Sequence, residues 1–537
     1  MKYSHLLLAV LTGLLLWLGW PTYGVPLLLF GAFVPLLIVE KQLRTTAIKH
    51  KGWKVLGLAY LSFVIWNFAT TGWLYYSTAF GMFFAVLVNS LLMALVFYSY
   101  HRFARRVSQG AAFTFLVCLW ISFEYLHLHW DFSWPWLNLG NGFSEYTGWI
   151  QWYEYTGTFG GTLWIWLLNI VLFYAVSRLR ENGFTIKKAL KKAVVPVVLI
   201  LVPIGISQII LFQYFELNKY KGGTEVVIVQ PNIDPYNEKY TTATNEKVVQ
   251  LLTDLALPEV KEHTDFIITP ETVIADNIRL NQVTYHPALQ LLRGNFTDYP
   301  DLSYLGGISL LDVFTNPDKA TAQSNLASDG FTYYNDYNSA MFFNNSGSIE
   351  LYHKSKLVVG VENFPYKGIL QPILGDAMID LGGTQATKTT QEQRSVFKSN
   401  DGTKIAPVIC YESVYGEYVT DYVNNGAHFL AIITNDAWWG NTQGHQQHLS
   451  LARLRAIETR RWIARSANTG ISAIINHKGA IIQSLGYEKQ GVVKGMLKKR
   501  SDTTFYVQHG DYIARVAMFM GVFTLLFGYA RRKKKRK

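Results

Sequence analysis

Apolar residues follow two rhythms along this chain of 537 residues. In the first 213 they form long unbroken runs, roughly Leu6 to Leu18, Val25 to Val39, Val55 to Trp73, Phe80 to Phe97, Ala111 to Leu126, Phe159 to Val176 and Val194 to Phe212. An eighth run, Ile513 to Ala530, stands alone near the C-terminus, with Arg515 at its entrance, where a long side chain can reach an interface. Such runs predict membrane helices, those short of about 20 residues drawing on flanking aromatics to complete a span. The first run has a lone Lys2 before it and GWPTYG after it, without the small-residue cleavage site of a signal peptide, and reads as a retained helix.

Between about Gln213 and Asp511 the rhythm changes to short apolar runs alternating with helical patterns. EVVIVQ from Glu225, DFIITP from Asp265, LSYLGGISL from Leu302, SAMFF, SIELYH, KIAPVIC, HFLAIIT and ISAIIN read as strands. Turns are expected at Asn345, Ser346 and Gly347 and at Lys478 and Gly479. Asn245 to Ala256, Pro287 to Arg293, Tyr415 to Asn424 and His445 to about Ser466 read as helices. The alternation predicts a layered α/β domain with mixed sheets, and NPDKATAQSNLASDG (Asn316 to Gly330) an exposed loop. Three units follow: 1–213 with helices one to seven, 214–511 as a separate α/β domain, and 512–537 with helix eight and a basic tail.

Composition agrees with a membrane protein, since charged residues are 16% of the chain against a usual quarter or so. The net charge of +12 raises the question of nucleic acid, and the placement of the basic residues answers it. Lys41, Arg44, Lys49, Lys51 and Lys54 follow run two; Arg102, Arg105 and Arg106 follow run four; Arg178, Arg180, Lys187, Lys188, Lys191 and Lys192 follow run six. The tail is RRKKKRK, whereas the loop from His129 to Gly157 has neither Lys nor Arg. The positive-inside rule then puts both termini in the cytoplasm and the α/β domain on the far side of the membrane. The basic residues serve as topology anchors, and no nucleic-acid partner is expected.

Glu271 ends DFIITP and its TPE, Lys354 follows SIELYH, and Cys410 ends KIAPVIC. Strand ends of α/β sheets are where reacting groups collect, although each residue alone reads as readily as a solvated charge or a buried small thiol. Together they make a base, a cation and a nucleophile: Glu271 to take the thiol proton, Lys354 to hold the thiolate and later an oxyanion. Cys118 lies inside the fifth apolar run, so the two cysteines of the chain have no means of pairing. An unpaired thiol in an oxidising compartment has to be shielded or used.

The order ITPET, YHKSKL, VICYES resembles the Glu, Lys, Cys arrangement of the nitrilase (carbon-nitrogen hydrolase) superfamily. With the membrane helices around it, the chain is similar to the apolipoprotein N-acyltransferases of the bacterial inner membrane. FSWPWLNLGN, VQPNI, YNSAMFF, and TNDAWWG followed by QQHLSLARLRAIETRRWIARSANTGISAII add to the likeness, which covers nearly the whole chain. The resemblance implies an eight-helix membrane bundle plus an αββα sandwich on the periplasmic side. It implies a two-step reaction without cofactor or metal. Cys410 takes an acyl chain from phosphatidylethanolamine as a thioester and passes it to the free α-amine of a diacylglyceryl-modified N-terminal cysteine. The partners implied are a phospholipid donor, a diacylated apolipoprotein acceptor and the membrane, and the protein is expected to be a monomer.

Other family positions carry over singly. Glu362 matches an acid supporting the lysine; Glu412 matches a supporting acid, and the Tyr411 N–H is a natural oxyanion donor beside Lys354. Tyr240, Asn338 and Trp438 match substrate-binding positions, with core packing as the rival reading of the two aromatics; Asn338 and Arg461 are the weaker matches. LVVGVE, Leu357 to Glu362, departs from the family's LVPFGE, lacking proline and with glycine moved, in a loop expected to gate the site. Lys356 is a rival for the cation, and the spacing to Glu362 favours Lys354.

His445 and His448 have a spacing seen in metal sites but lack further ligands, and no metal is expected. Arg453, Arg455, Arg460, Arg461 and Arg465 read as a solvated or packing face. Two other functions compete: a membrane-bound amidase or hydrolase, in which water takes the thioester, and a transporter or receptor with a binding ectodomain. The second requires polar groups deep in the spans, for which Asn67, Asn89 and Glu124 are the candidates; Glu124 reads equally as a bundle-facing carboxyl with a helix partner.

Overall fold

In a computed structural model the long apolar runs form helices, and the described residues are all but 1, 182–184, 217–222, 235–242, 345–346, 370–385 and 535–537. The chain divides into two compact units, Met1–Tyr75 with Ala79–Tyr214 and His509–Lys537, and Tyr76–Thr78 with Phe215–Gln508. Among the described residues seven helices are long and apolar enough to cross a membrane: Pro26–Thr45, Lys51–Tyr76, Ala79–Ala104, Gln109–Leu126, Tyr153–Glu181, Ile186–Tyr214 and Tyr512–Ala530. The first expected run is a shorter apolar helix, Ser4–Leu18. The second is uneven, a 3-10 segment Pro26–Phe30 followed by the α-helix Val34–Thr45, because each piece begins with a proline in its first turn, where a missing N–H costs least.

Asn67, Asn89 and Glu124, polar residues inside this helical unit, make side-chain hydrogen bonds within it. Asn89 Nδ2 donates to Asn67 Oδ1 at 2.7 Å. Glu124 accepts from Trp120 Nε1 (2.9 Å), Leu139 N (2.7 Å) and Thr162 Oγ1 (2.7 Å), so it ties the LNLGN loop to two helices. The three candidates for a transport path are therefore internal fastenings, and such bonds offset the cost of burying a polar group in an apolar medium.

The second unit contains two mixed sheets. The larger runs in the order Gly491–Lys498, Gly223–Gln230, Phe266–Ile268, Ser303–Phe314, Tyr333–Asn344, Asn325–Leu326, with Ile274–Arg279 also paired to Ser303–Phe314 and Glu350–His353 to Tyr333–Asn344. The smaller runs Ile481–Leu485, Ser472–Ile475, Ile463–Ala467, Phe429–Thr434, Lys404–Ile409, Phe397–Lys398. Alternation along the strands sorts side chains between two cores. Val226, Ile228, Phe266, Ile268, Leu305 and Phe342 pack with Val408, Leu430 and Ile432 of the smaller sheet. Their neighbours Val227, Val229, Ile267, Tyr304, Met341 and Phe343 pack with Val248, Leu252 and Leu289 of the helices Asn245–Ala256 and Pro287–Gly294. On the other side Val419, Tyr422, Leu449 and Ala452, of helices Gly416–Asn424 and Gln443–Thr459, join the inner core. The architecture is the expected sandwich of two sheets between helical layers.

One helix ends early. The expected helix from His445 to about Ser466 stops at Thr459, because Arg460 takes a left-handed conformation (φ 53°) and the chain turns into the strand Ile463–Ala467. The arginine series is accordingly no solvated face: Arg455, Arg460, Arg461 and Arg465 are buried. Their guanidinium groups bond backbone carbonyls, as Arg461 Nε does with Ala427 O (2.7 Å) and Arg460 Nη1 with His477 O (3.0 Å).

Candidate active site

Two parallel strands, one in each sheet, end in the candidate residues. Glu271 follows Phe266–Ile268 on a loop whose next residue, Thr272, has φ 43°, and Gly307 N donates to Pro270 O at 3.0 Å, holding that loop on the neighbouring strand. Cys410 follows Lys404–Ile409 and opens the 3-10 turn Cys410–Val414 with φ 50°. A positive φ on a side-chain-bearing residue costs of order 1–3 kcal/mol and persists where its surroundings over-determine it. Lys354 directly follows the edge strand Glu350–His353.

These residues meet in one buried cluster. Lys354 Nζ lies 2.8 Å from Glu271 Oε1 and 2.9 Å from Glu362 Oε2. Asn338 Nδ2 donates to Glu271 Oε1 (2.8 Å) and Glu362 Oε1 (2.9 Å), bridging the carboxylates that flank the lysine. Backbone donors complete the arrangement: Asn435 N to Glu271 Oε2 (3.1 Å) and Val358 N to Glu362 Oε2 (2.9 Å). The second bond closes the turn of LVVGVE, where Gly360 has φ 79° and supplies the left-handed position the turn requires.

The electrostatics follow from this packing. Burial pushes the Lys354 ammonium down, but the Glu271 and then the Glu362 carboxylates outweigh it and hold the group well above the ordinary lysine value. Burial raises Glu362, and the Lys354 charge reverses this and brings it below the usual carboxylate value. Cys410 goes the other way: burial first and the Glu271 charge second push its thiol well above 9.0, with Lys354 opposing. The Cys410 sulfur is thus a protonated thiol under the influence of a carboxylate, an arrangement in which attack by the sulfur would call for removal of its proton.

Glu412 is fully buried and accepts five hydrogen bonds. Its Oε1 takes Tyr352 OH, Tyr418 OH and Ser355 N, each at 2.7 Å, and its Oε2 takes Ile409 N (2.8 Å) and Tyr422 OH (3.1 Å). The carboxylate thus fastens the residue before Cys410 to the residue after Lys354. Lys356 points elsewhere, its Nζ 4.9 Å from the Tyr415 ring centroid and 5.8 Å from that of Tyr418.

Residues 12–171 match the profile described as apolipoprotein N-acyltransferase N-terminal domain, and residues 320–501 the one described as carbon-nitrogen hydrolase. The apolipoprotein N-acyltransferase of Chlorobaculum tepidum is 29% identical over 98% of this chain and 97% of its own. That of Geobacter metallireducens is 26% identical over 95% and 92%. The chain belongs to the apolipoprotein N-acyltransferase family. A solved amidase from Nesterenkonia sp. is also similar, with a TM-score of 0.36 and 15% identity over 55% of this chain and 97% of that one.

For this apolipoprotein N-acyltransferase homologue the remaining sequence candidates divide. Tyr240 lies outside the described residues. Tyr411 is buried, edge-on to Tyr415 with ring centroids 5.3 Å apart, and Trp438 is half-buried on the 3-10 turn Asp436–Trp439. Arg461 is a strut, also donating through Nη1 to Asp502 O at 2.8 Å. His445 stacks on Tyr487 with centroids 4.2 Å apart, while His448 pairs with Asp436 (2.9 Å), so the two histidines serve separate contacts. Sequence reasoning missed Asn435, whose contribution is a backbone N–H, and the tyrosines around Glu412. TNDAWWG was the one available signal for Asn435, and Tyr352 was hidden as an ordinary strand residue.

Proposed function

We propose that this acyltransferase moves an acyl chain from phosphatidylethanolamine to the α-amine of a diacylglyceryl-cysteine apolipoprotein through a thioester on Cys410. As Cys410 Sγ attacks the ester carbonyl, Glu271 takes the thiol proton, and Lys354 Nζ with the Tyr411 N–H receives the oxyanion. Collapse breaks the acyl C–O bond, and the proton on Glu271 passes to the departing glycerol oxygen, releasing the lysophospholipid. In the second half the amine attacks the thioester, Glu271 takes its proton, and that proton returns to sulfur as the C–S bond breaks. Oxyanion donors of this kind are each worth roughly 10²- to 10³-fold in rate.

The observation that carries the reading is the Lys354 ammonium held between Glu271 and Glu362, with its charge and that of Glu271 acting on a thiol at a strained strand end. In this reading 1–213 and 512–537 are the membrane part and 214–511 the catalytic part. The alternation of basic and non-basic loops supports an inner-membrane protein with its catalytic part on the periplasmic side, and the working unit in this reading is the monomer. The test is to mix purified protein with phosphatidylethanolamine and look by intact mass for one hydroxylamine-labile acyl chain on Cys410, absent from Cys410→Ala. A diacylglyceryl peptide should discharge it as an amide. An adduct on Cys410→Ala overturns the nucleophile, and release only as free fatty acid makes the protein a hydrolase.

A further inference from the structure

Behind Cys410 runs a buried polar chain that takes no part in the proton transfers. Arg465 Nη2 donates to Asp436 Oδ2 at 2.7 Å, and Asp436 Oδ1 faces His448 Nδ1 at 2.9 Å and accepts from Thr434 Oγ1 at 2.8 Å. On its other edge His448 Nε2 lies 3.3 Å from the carbonyl oxygen of Cys410 and 3.1 Å from Ser413 Oγ, and Ser413 Oγ donates to the same carbonyl at 2.7 Å. Asp436, His448, Arg465 and Ser413 are each 1% exposed or less. Although burial pushes the other way, the Arg465 guanidinium and the His448 ring hold the Asp436 carboxyl well below the usual range. An ionised carboxylate on Nδ1 anchors the ring with its Nε2 edge toward the carbonyl, and a ring that carries protons on both nitrogens donates to the carboxylate and to the carbonyl at once.

That carbonyl and the Tyr411 N–H are two ends of one peptide group. Hydrogen bonds accepted at the oxygen draw electron density from nitrogen and make the N–H a better donor, a cooperative strengthening of roughly 10–30% per bond. Two such bonds also hold the peptide that joins Cys410, at its positive φ, to Tyr411.

We propose that Ser413 and His448 are positioning residues for acyl transfer, which act by hydrogen-bonding the Cys410 carbonyl oxygen so that the Tyr411 N–H becomes a stronger oxyanion donor. This rests on the reading of Cys410 as the acyl-carrying nucleophile.

The test separates oxyanion formation from thiol chemistry. Acylation by phosphatidylethanolamine passes through an oxyanion, whereas alkylation of Cys410 by iodoacetamide displaces iodide at an sp³ carbon and forms none. Ser413→Ala and His448→Leu should each slow acylation by roughly two- to eightfold, the share of an oxyanion donor's effect that such polarisation carries. Alkylation should stay within about twofold of the wild type. His448→Gln, whose side-chain amide can still donate to the carbonyl, should recover most of the acylation rate. Equal loss of acylation and alkylation would mean a merely structural role and overturn the proposal, as would no loss of either. Should the histidine variants fail to fold, Ser413→Ala, which removes a single oxygen, decides alone. Absence of any acyl adduct on wild-type Cys410 is a different result and strikes the parent reading instead.

Discussion

Replacing Gly307 by alanine tests whether backbone packing aims the proposed base. A Cβ at Gly307 would stand 2.2 Å from Thr272 N, 2.5 Å from Pro270 O and 2.6 Å from Glu271 C. All three are backbone atoms, and the first lies about 1.2 Å inside the 3.4 Å at which ordinary contact begins. No side chain can swing aside to relieve this, and Thr272 at φ 43° has little conformational slack. The loop must therefore move by about 1 Å, carrying Glu271 away from the Lys354 and Asn338 donors that reach its Oε1. Displacement on that scale costs about 10²-fold in a reaction dependent on placement, while overpacking of this kind costs roughly 1–3 kcal/mol of stability. The assay is the rate of Cys410 acylation from phosphatidylethanolamine followed by intact mass, alongside thermal unfolding of the detergent-solubilised protein. A folded Gly307→Ala protein that acylates at the wild-type rate would refute the claim that the Pro270–Thr272 backbone positions the base.

Three further outcomes follow from the charges. Glu271→Gln removes a negative charge that raises the Cys410 thiol, so at fixed pH alkylation by iodoacetamide should speed up while acyl transfer collapses; parallel loss of both would show that Glu271 does not act on the thiol through its charge. Lys354→Met should abolish acylation and destabilise the protein by roughly 3–5 kcal/mol, because two buried carboxylates lose their common partner, whereas Lys356→Met should acylate within about threefold of the wild type. Glu362 has its folded pKa below 4.5, so its stabilising contribution is present above that value and is lost as pH falls through the depressed one. Glu362→Gln should therefore flatten the decline of Tm below pH about 4.5, and an unchanged decline would contradict the pairing with Lys354.

Glu271, Lys354 and Cys410 were legible because each is a polar letter placed directly after an apolar run, and period-two alternation gave the strands that carry them. Their meeting was not legible, since it rests on pairings such as Gly223–Gln230 with Gly491–Lys498, far apart in sequence. The arginines, read as a solvated or packing face, proved to be packed, and the choice between the two was not legible for a related reason. A charge series on a helical pattern looks solvated, but Arg461 finds its acceptors at Ala427 and Asp502, and the left-handed turn at Arg460 is made without the glycine that ordinarily announces one.

The same limit explains what was missed inside the site. Three carboxylates are held by backbone N–H groups: Glu271 by Asn435, Glu362 by Val358, and Glu412 by Ser355 and Ile409. Every residue but proline carries such a donor, so its identity leaves no mark in the sequence, and only the fold decides which donors converge. The acidic and basic letters therefore suggested the proposed chemistry, while the geometry of the cluster is set in part by peptide groups. This is why a methyl group at Gly307, with no charge altered, is expected to cost as much activity as many changes to the charged residues themselves.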